Sequence, residues 1–339
     1  VSAIQDGLLG YNPTWLAPAV SEATAAFQKK RFGWDLDPKA VRVAPAVLPA
    51  LEAMIQYLVR PGSPVVVPTP AYMPFLTIPP ALGHSVIEVP SLHGEAYPGG
   101  WTLDLDGIKA GLEAGAGLVI LCNPWNPVGR VLTEAEMRAL QELVSHYDAL
   151  VFSDEIHSPL VLGGRDFVSY ARMGAEFASH TITATAATKG WNIAGLPNAQ
   201  VIIPDEGLRE RWDSICQEKL PHSMSTIGAL GSIEAYTNGD EWQREIFEVI
   251  ECNIRAVSEA LASTKIDFHP PQATYLTWWG FEAYPQFGNS PASVLLERAH
   301  IAVNAGITLG ANYSKWARMN LACPPKVAEE MLSRVVEML

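Results

Sequence analysis

Lys189 stands in Ala186-Ala187-Thr188-Lys189-Gly190-Trp191-Asn192-Ile193-Ala194-Gly195-Leu196, a lysine between a hydroxyl residue and a glycine-containing turn. Upstream lie Asn123-Pro124-Trp125-Asn126-Pro127 and Ser153-Asp154-Glu155-Ile156-His157, which set an asparagine and an aspartate at the ends of apolar segments. Amine, amide and carboxylate are the three groups that pyridoxal 5'-phosphate asks of a protein: an amine for a Schiff base, a donor to the phenolic oxygen, and an anion at the ring nitrogen. Taken singly, each residue has an ordinary explanation, because Asn-Pro is a common turn dipeptide, an aspartate can cap, and a lysine is usually solvated. Their convergence carries the reading. All three follow short apolar runs, and ligands of parallel sheets gather at the carboxyl ends of strands.

Those runs belong to an alternating pattern. Ala46 to Leu58 reads as a helix, with Ala50, Leu51, Met54, Ile55 and Leu58 at helical spacing and Pro61-Gly62 behind it. Short β-rich runs follow at Pro64 to Val67, Gly83 to Val89, Gly117 to Cys122, Leu150 to Ser153, Thr181 to Thr185 and Ala199 to Ile203. Between them, Thr133 to Tyr147 opens with a capping hydroxyl and two acids in its first turn. Alternation of this kind predicts an α/β fold with a mostly parallel sheet buried between helices. From Ser225 the texture changes to a long helical stretch, Glu241 to Ala262, and shorter mixed segments around Tyr275 to Trp279 and Ile301 to Thr308. We expect a large domain over 1-235 and a smaller C-terminal α+β domain over 236-339.

With 339 residues, 48% hydrophobic and 17% charged, the chain can bury a large core or two. A net charge of -13 without any sustained basic run speaks against nucleic acid and anionic membrane surfaces. Cys122, Cys216, Cys252 and Cys323 are far apart and lack metal-ligand spacing, so buried thiols in a reducing compartment are expected, and no metal. No apolar run approaches a membrane span of roughly 20 residues, and the first residues do not form a signal peptide, which makes cytoplasm the default. Since the chain begins without methionine and Gly10-Tyr11-Asn12-Pro13 arrives after one short segment, further residues are expected upstream. Asn312-Tyr313-Ser314 fits a glycosylation sequon, but nothing else points to secretion. Walker, G-x-G-x-x-G, H-E-x-x-H and G-x-S-x-G motifs are absent from the sequence.

Over essentially its whole length the chain resembles the fold-type I pyridoxal-phosphate enzymes of the class I/II aminotransferase superfamily. The Ser-Asp-Glu-Ile-His and Lys-Gly-Trp-Asn-Ile-Ala-Gly-Leu strings are most similar to its cystathionine β-lyase (carbon-sulfur lyase) branch. The resemblance makes Lys189 the Schiff-base lysine, Asp154 the partner of the pyridine nitrogen and Asn126 the donor to the phenolic oxygen. His157 occupies the place where many aminotransferases carry a tyrosine near that oxygen, which favours the lyase. Tyr72, in Pro70-Ala71-Tyr72-Met73-Pro74-Phe75, matches the aromatic residue that stacks on the ring. The amides of Val47 and Leu48, opening a helix, are placed to receive the phosphate. Thr188 adds a hydroxyl. Ala186 and Pro197 stand where the superfamily often has a serine and a phosphate-binding arginine, leaving those contacts to Thr185 or to residues elsewhere. Arg318, in Ala317-Arg318-Met319-Asn320, matches the arginine that grips the substrate carboxylate through a planar fork.

What this resemblance implies is α,β-elimination on an L-amino acid carrying sulfur at Cβ, with L-cystathionine first in line and methionine biosynthesis as the setting. Tyr11 matches a tyrosine that reaches the phosphate of a neighbouring subunit, implying a homodimer with shared active sites. An aminotransferase is the alternative activity, since both reactions begin with removal of the Cα proton. A pyridoxal-phosphate protein with an added regulatory binding role is a third reading.

Overall fold

Short runs rich in valine, isoleucine and threonine, each closed by a proline, glycine or polar residue, form the strands. In chain order these are β1 (Val41–Ala44), β2 (Val65–Thr69), β3 (Val86–Pro90), β4 (Leu92–His93), β5 (Trp101–Thr102), β6 (Leu118–Cys122), β7 (Leu150–Asp154), β8 (Thr181–Thr185), β9 (Ala199–Ile202), β10 (Asp267–Phe268), β11 (Leu276–Gly280), β12 (Asn304–Ala305) and β13 (Trp316–Asn320). This computed structural model describes residues 2–5, 7–8, 10–216, 220 and 224–339.

Seven strands make the large sheet, in the order β1-β9-β8-β7-β6-β2-β3. Pairing is parallel from β3 through β8, as the alternating pattern predicts, whereas β9 runs antiparallel to both β8 and β1. The reversal has a local reason. The segment from β8 to β9 is occupied by the lysine turn, with only the four-residue helix Ala187–Gly190, and contains no full crossover helix that would return the chain to the same end of the sheet.

Period-two alternation sorts the strand side chains onto two faces. Val65, Val67, Ile120, Phe152, Ile182 and Val201 pack with Leu51, Met54 and Ile55 of the helix Val47–Tyr57. Val66, Val119, Leu121 and Val151 face Ile108, Leu140 and Val144 on the other side. Leu51 and Met54 are fully buried, each contributing about 1.5-3 kcal/mol of transfer free energy. The helix Glu134–His146 begins with the expected capping hydroxyl, completed as a reciprocal box between Thr133 and Glu136. Gly83, at φ +84, ends the preceding helix in a left-handed turn, so the third strand begins at Val86 rather than at the glycine.

The second sheet is antiparallel, β10-β11-β13-β12, and packs against the helices Asp240–Leu261 and Pro325–Val336 through Trp279, Phe281, Ile254, Val257 and Leu332. Its other face is not free. Trp278, Tyr313 and Trp316 join Trp101 and Leu103 in one aromatic core, and the Tyr313 hydroxyl donates to the carbonyl of Thr69 at 2.7 Å. The small sheet is therefore seated beside the carboxyl ends of β2 and β6. Among the described residues no helix is long and apolar enough to cross a membrane.

Candidate active site

The carboxyl ends of the parallel strands deliver the chemistry. Asp154 is the last residue of β7, and its neighbour across the ladder is Ala184 of β8, one residue before that strand ends. The chain then turns at Ala186 into the short helix that carries Thr188 and Lys189. Two features lock that turn. Gly190 lies so close to Pro159 that a Cβ there would sit 2.8 Å from the proline Cβ, so a side chain at this position would displace the lysine helix. The Trp191 indole packs on Phe27 and Tyr236 and donates to the carbonyl of Gly239 at 2.9 Å.

Asn126 sits in the loop after β6. Trp125 fixes this loop, its backbone pairing with Arg130 and its indole donating to the carbonyl of Pro70 at 2.9 Å. The same bond ties the Asn126 loop to the segment bearing Tyr72. Arg318 lies on β13, opposite Asn304 of β12. Its Nη1 donates to Asn126 Oδ1 at 3.0 Å and its Nη2 to Asn304 Oδ1 at 2.7 Å, while Nε is buried without a partner.

These elements enclose a cavity of about 510 Å³ whose walls include Val47, Leu48, Tyr72, Asn126, Asp154, His157, Thr188, Lys189 and Arg318. Nine of the ten residues singled out in the sequence thus meet in one space. The tenth, Tyr11, is fully exposed and outside the cavity of its own chain. A larger cleft of about 940 Å³, lined by Arg31, Arg165 and Arg244 among others, shares none of these residues, and size alone does not locate the chemistry. One expectation is corrected: Thr185 does not reach the cavity. As the last residue of a strand buried on both faces it points inward, and its hydroxyl donates to the carbonyl of Glu155 at 3.2 Å. Tyr275, Asn320, Met73 and Asn198 also line the cavity, and Asn304 orients the guanidinium, none of which the sequence singled out.

Asp154 is 4% exposed, and its carboxylate Oδ1 accepts a hydrogen bond from the amide of Ile156, at 3.0 Å. Burial raises its carboxyl to about 7, with the Ile156 amide and the Lys189 cation acting in the opposite direction. Glu155 is also pushed up to about 7 by burial, although Ser153, Ser169 and the amide of Tyr170 donate to it. His157 is driven the other way, down to about 3, by burial and by the cations of Lys189 and Arg318. It is therefore neutral at physiological pH, and its buried Nδ1 has no hydrogen-bond partner.

Those unmet groups permit a test of fit. The helix Val47–Tyr57 starts at Ala46, which has no capping side chain, so its first amides, on residues that line the cavity, are uncapped, and Pro49 contributes none. Elsewhere in the lining, Asp154 is a buried carboxyl with no ion pair at salt-bridge distance among those found in the described residues, and His157 Nδ1 is an unpaired polar atom. A planar group with a phosphate at one end and a protonated ring nitrogen at the other satisfies both sets. Pyridoxal 5'-phosphate fits these residues.

Comparison with known proteins agrees with this geometry. Residues 2–335 match the family model for aminotransferase class I and II. The chain is 31% identical over 337 residues to cystathionine beta-lyase of Corynebacterium glutamicum, covering 99% of this chain and 88% of that protein. It superposes with a TM-score of 0.90 and 32% identity on a putative PLP-dependent beta-cystathionase of Corynebacterium diphtheriae, covering 99% of this chain and 86% of that one. Cystalysin of Treponema denticola, whose structure contains pyridoxal 5'-phosphate, superposes with a TM-score of 0.91 at 26% identity, covering 99% of this chain and 85% of that one. With the lysine turn, the strand-end aspartate and the family match in agreement, the chain belongs to the class I and II aminotransferase family.

Proposed function

We propose that this chain is a pyridoxal 5'-phosphate-dependent carbon-sulfur β-lyase, cleaving L-cystathionine or a related S-substituted L-cysteine to a thiol, pyruvate and ammonia. The observation that carries the reading is the meeting of Lys189, Asp154, Asn126 and Arg318 around one cavity, in a chain whose relatives include proteins named cystathionine beta-lyase.

When bound, pyridoxal phosphate supplies an aldehyde for the substrate amine and a ring that withdraws the electron pair left at Cα. The protein does the rest. Val47 and Leu48 offer amides to the phosphate where the helix dipole favours an anion, and Thr188 adds its hydroxyl. Tyr72, in the cavity wall, would stack on the ring. Because Asn126 Oδ1 is taken by Arg318, its Nδ2 is left to donate to the phenolic oxygen, with neutral His157 beside it. Asp154 would pair with the ring N–H and so hold a proton there. Arg318 grips the substrate carboxylate and turns the Cα–H bond towards Lys189. Lys189 anchors the cofactor in the resting enzyme, then removes the Cα proton and returns it to the departing sulfur.

Tyr11 is exposed and leaves its own cavity untouched, which suits a contact to the phosphate of a second copy; we propose a homodimer with shared sites, acting in the cytoplasm. The boundary between the two units is proposed at 235/236, near the end of the helix Thr226–Asn238 and ahead of the long helix. The deciding experiment is pyruvate release from L-cystathionine and other S-substituted cysteines with no keto acid present. Turnover that needs a keto-acid acceptor makes the enzyme an aminotransferase instead.

A further inference from the structure

Away from the cavity, β4 of the 91–102 excursion meets β10 of the small sheet and the residue after it, bringing together His93, Asp267 and His269. Their ligand atoms all lie within 4.8 Å of one another, the one such cluster of three among the described residues. Both imidazoles approach the same carboxylate oxygen, His93 Nε2 at 3.3 Å and His269 Nε2 at 3.7 Å from Asp267 Oδ1. Neither approach is a hydrogen bond. His93 Nε2 is in fact buried with no hydrogen-bond partner at all, a cost the fold has not offset.

We propose that His93, Asp267 and His269 form a binding site for a divalent transition-metal ion of the zinc class, which clamps the 91–102 excursion to the small sheet. Two ligands each about 2.1 Å from a tetrahedral ion stand about 3.4 Å apart, a separation that the two observed distances bracket. Two imidazoles and one carboxylate are a donor set for zinc rather than for calcium or magnesium, and Asp267, the most exposed of the three, leaves a side open for a water as fourth ligand.

The surroundings hold the donors in place. The His93 ring is wedged 4.2 Å from the ring of Trp101 and 5.3 Å from that of Trp316, which fixes the direction of Nε2. Asp267 and His269 are two residues apart in the chain, and their side chains converge, with His269 Nε2 at 3.7 Å from Asp267 Oδ1. Over His269 the backbone passes at Gly100, φ +76, where a Cβ would fall 2.2 Å from the imidazole Cδ2, so the strap admits this ring only because the residue is glycine. None of the three donors lines the cofactor cavity, and the site stands whether or not the lyase reading does.

Calorimetric titration of Zn²⁺ into the cofactor-loaded protein, after stripping with EDTA, should show one ion per chain, and Co²⁺ should give the intense visible bands of a four-coordinate ion. His93→Ala, Asp267→Asn and His269→Ala should each weaken binding roughly tenfold or more, with cofactor absorbance unchanged. Absence of binding in the unsubstituted protein, or equal binding in all three variants, overturns the proposal. If a variant does not fold, the Co²⁺ spectrum of the unsubstituted protein decides, because weak octahedral bands exclude this site.

Discussion

Asn126 Oδ1 accepts a 3.0 Å hydrogen bond from Arg318 Nη1, joining the loop after β6 to β13 across 192 residues of chain. On the proposed function this one amide serves both halves of the reaction, its oxygen aligning the fork assigned to the substrate and its nitrogen left for the cofactor. Asn126→Ala should therefore raise KM for the amino acid and weaken cofactor affinity together. A change in only one of the two, read from steady-state kinetics and cofactor titration, would show that the coupling is not functional.

Lys189 should be the residue fixed to the cofactor when the loaded protein is reduced with borohydride. Peptide mapping checks this, and a stable label on any other lysine refutes it. Lys189→Ala should retain the fold, since the turn is held by Gly190 and Trp191, and should lose elimination to background.

Asp154→Asn in the loaded enzyme should keep the cofactor yet lose about 10²-10³-fold in turnover, the usual consequence of removing one preorganised electrostatic partner. Wild-type turnover in a variant shown spectroscopically to hold cofactor would remove this role.

The cofactor-free protein offers a separate check with a defined sign. Folding raises the Asp154 carboxyl from 3.8 to about 7, so between those values the folded state holds a proton that the unfolded chain has released. Stability conferred by this group is therefore lost as pH rises towards 7, by an amount on the order of a few kcal/mol. Asp154→Asn abolishes the titration. Its melting temperature should exceed that of the cofactor-free parent at pH 8 by more than it does at pH 5; a gap independent of pH would contradict the assignment. Glu155 shifts the same way, and part of the pH dependence should persist in the variant.

Arg318→Lys preserves charge but not the fork. Replacing a bidentate grip by a point charge removes a charge-assisted hydrogen bond of about 1.5-3 kcal/mol, so kcat/KM should fall by roughly ten- to a hundredfold. Tyr11→Phe should weaken cofactor binding by a similar amount while sedimentation still reports a dimer. An active monomer would remove the shared-site argument.

The strings around Asn126, Asp154 and Lys189 were legible because each is local: a strand end followed by a turn can be read from a few consecutive residues. Arg318 was legible only through the family resemblance of the string Ala317-Arg318-Met319-Asn320. Asn304 was not, because its role arises from the β12-β13 register, which no short string encodes. Tyr275 and Asn320 enter the cavity only through the seating of the small sheet, and His93, Asp267 and His269 are united by tertiary packing alone. Thr185 misled because a hydroxyl near the lysine says nothing about which side of the strand it occupies. The reversal of β9 was equally hidden, since the lysine turn reads as the start of a helix whether or not the chain crosses back.

Asp154 ends β7 and pairs across the ladder with Ala184 of the adjacent parallel β8, and Lys189 follows β8 after one short turn, so neighbouring strands of the large sheet deliver both groups. Arg318 and Asn320, by contrast, come from β13 of the separate small sheet, and Tyr275 immediately precedes its β11. On the proposed function, the groups assigned to the substrate and the lysine and aspartate assigned to the cofactor therefore sit on different sheets, so substitutions in the small sheet should change which amino acid is accepted while leaving Lys189 and Asp154 in place.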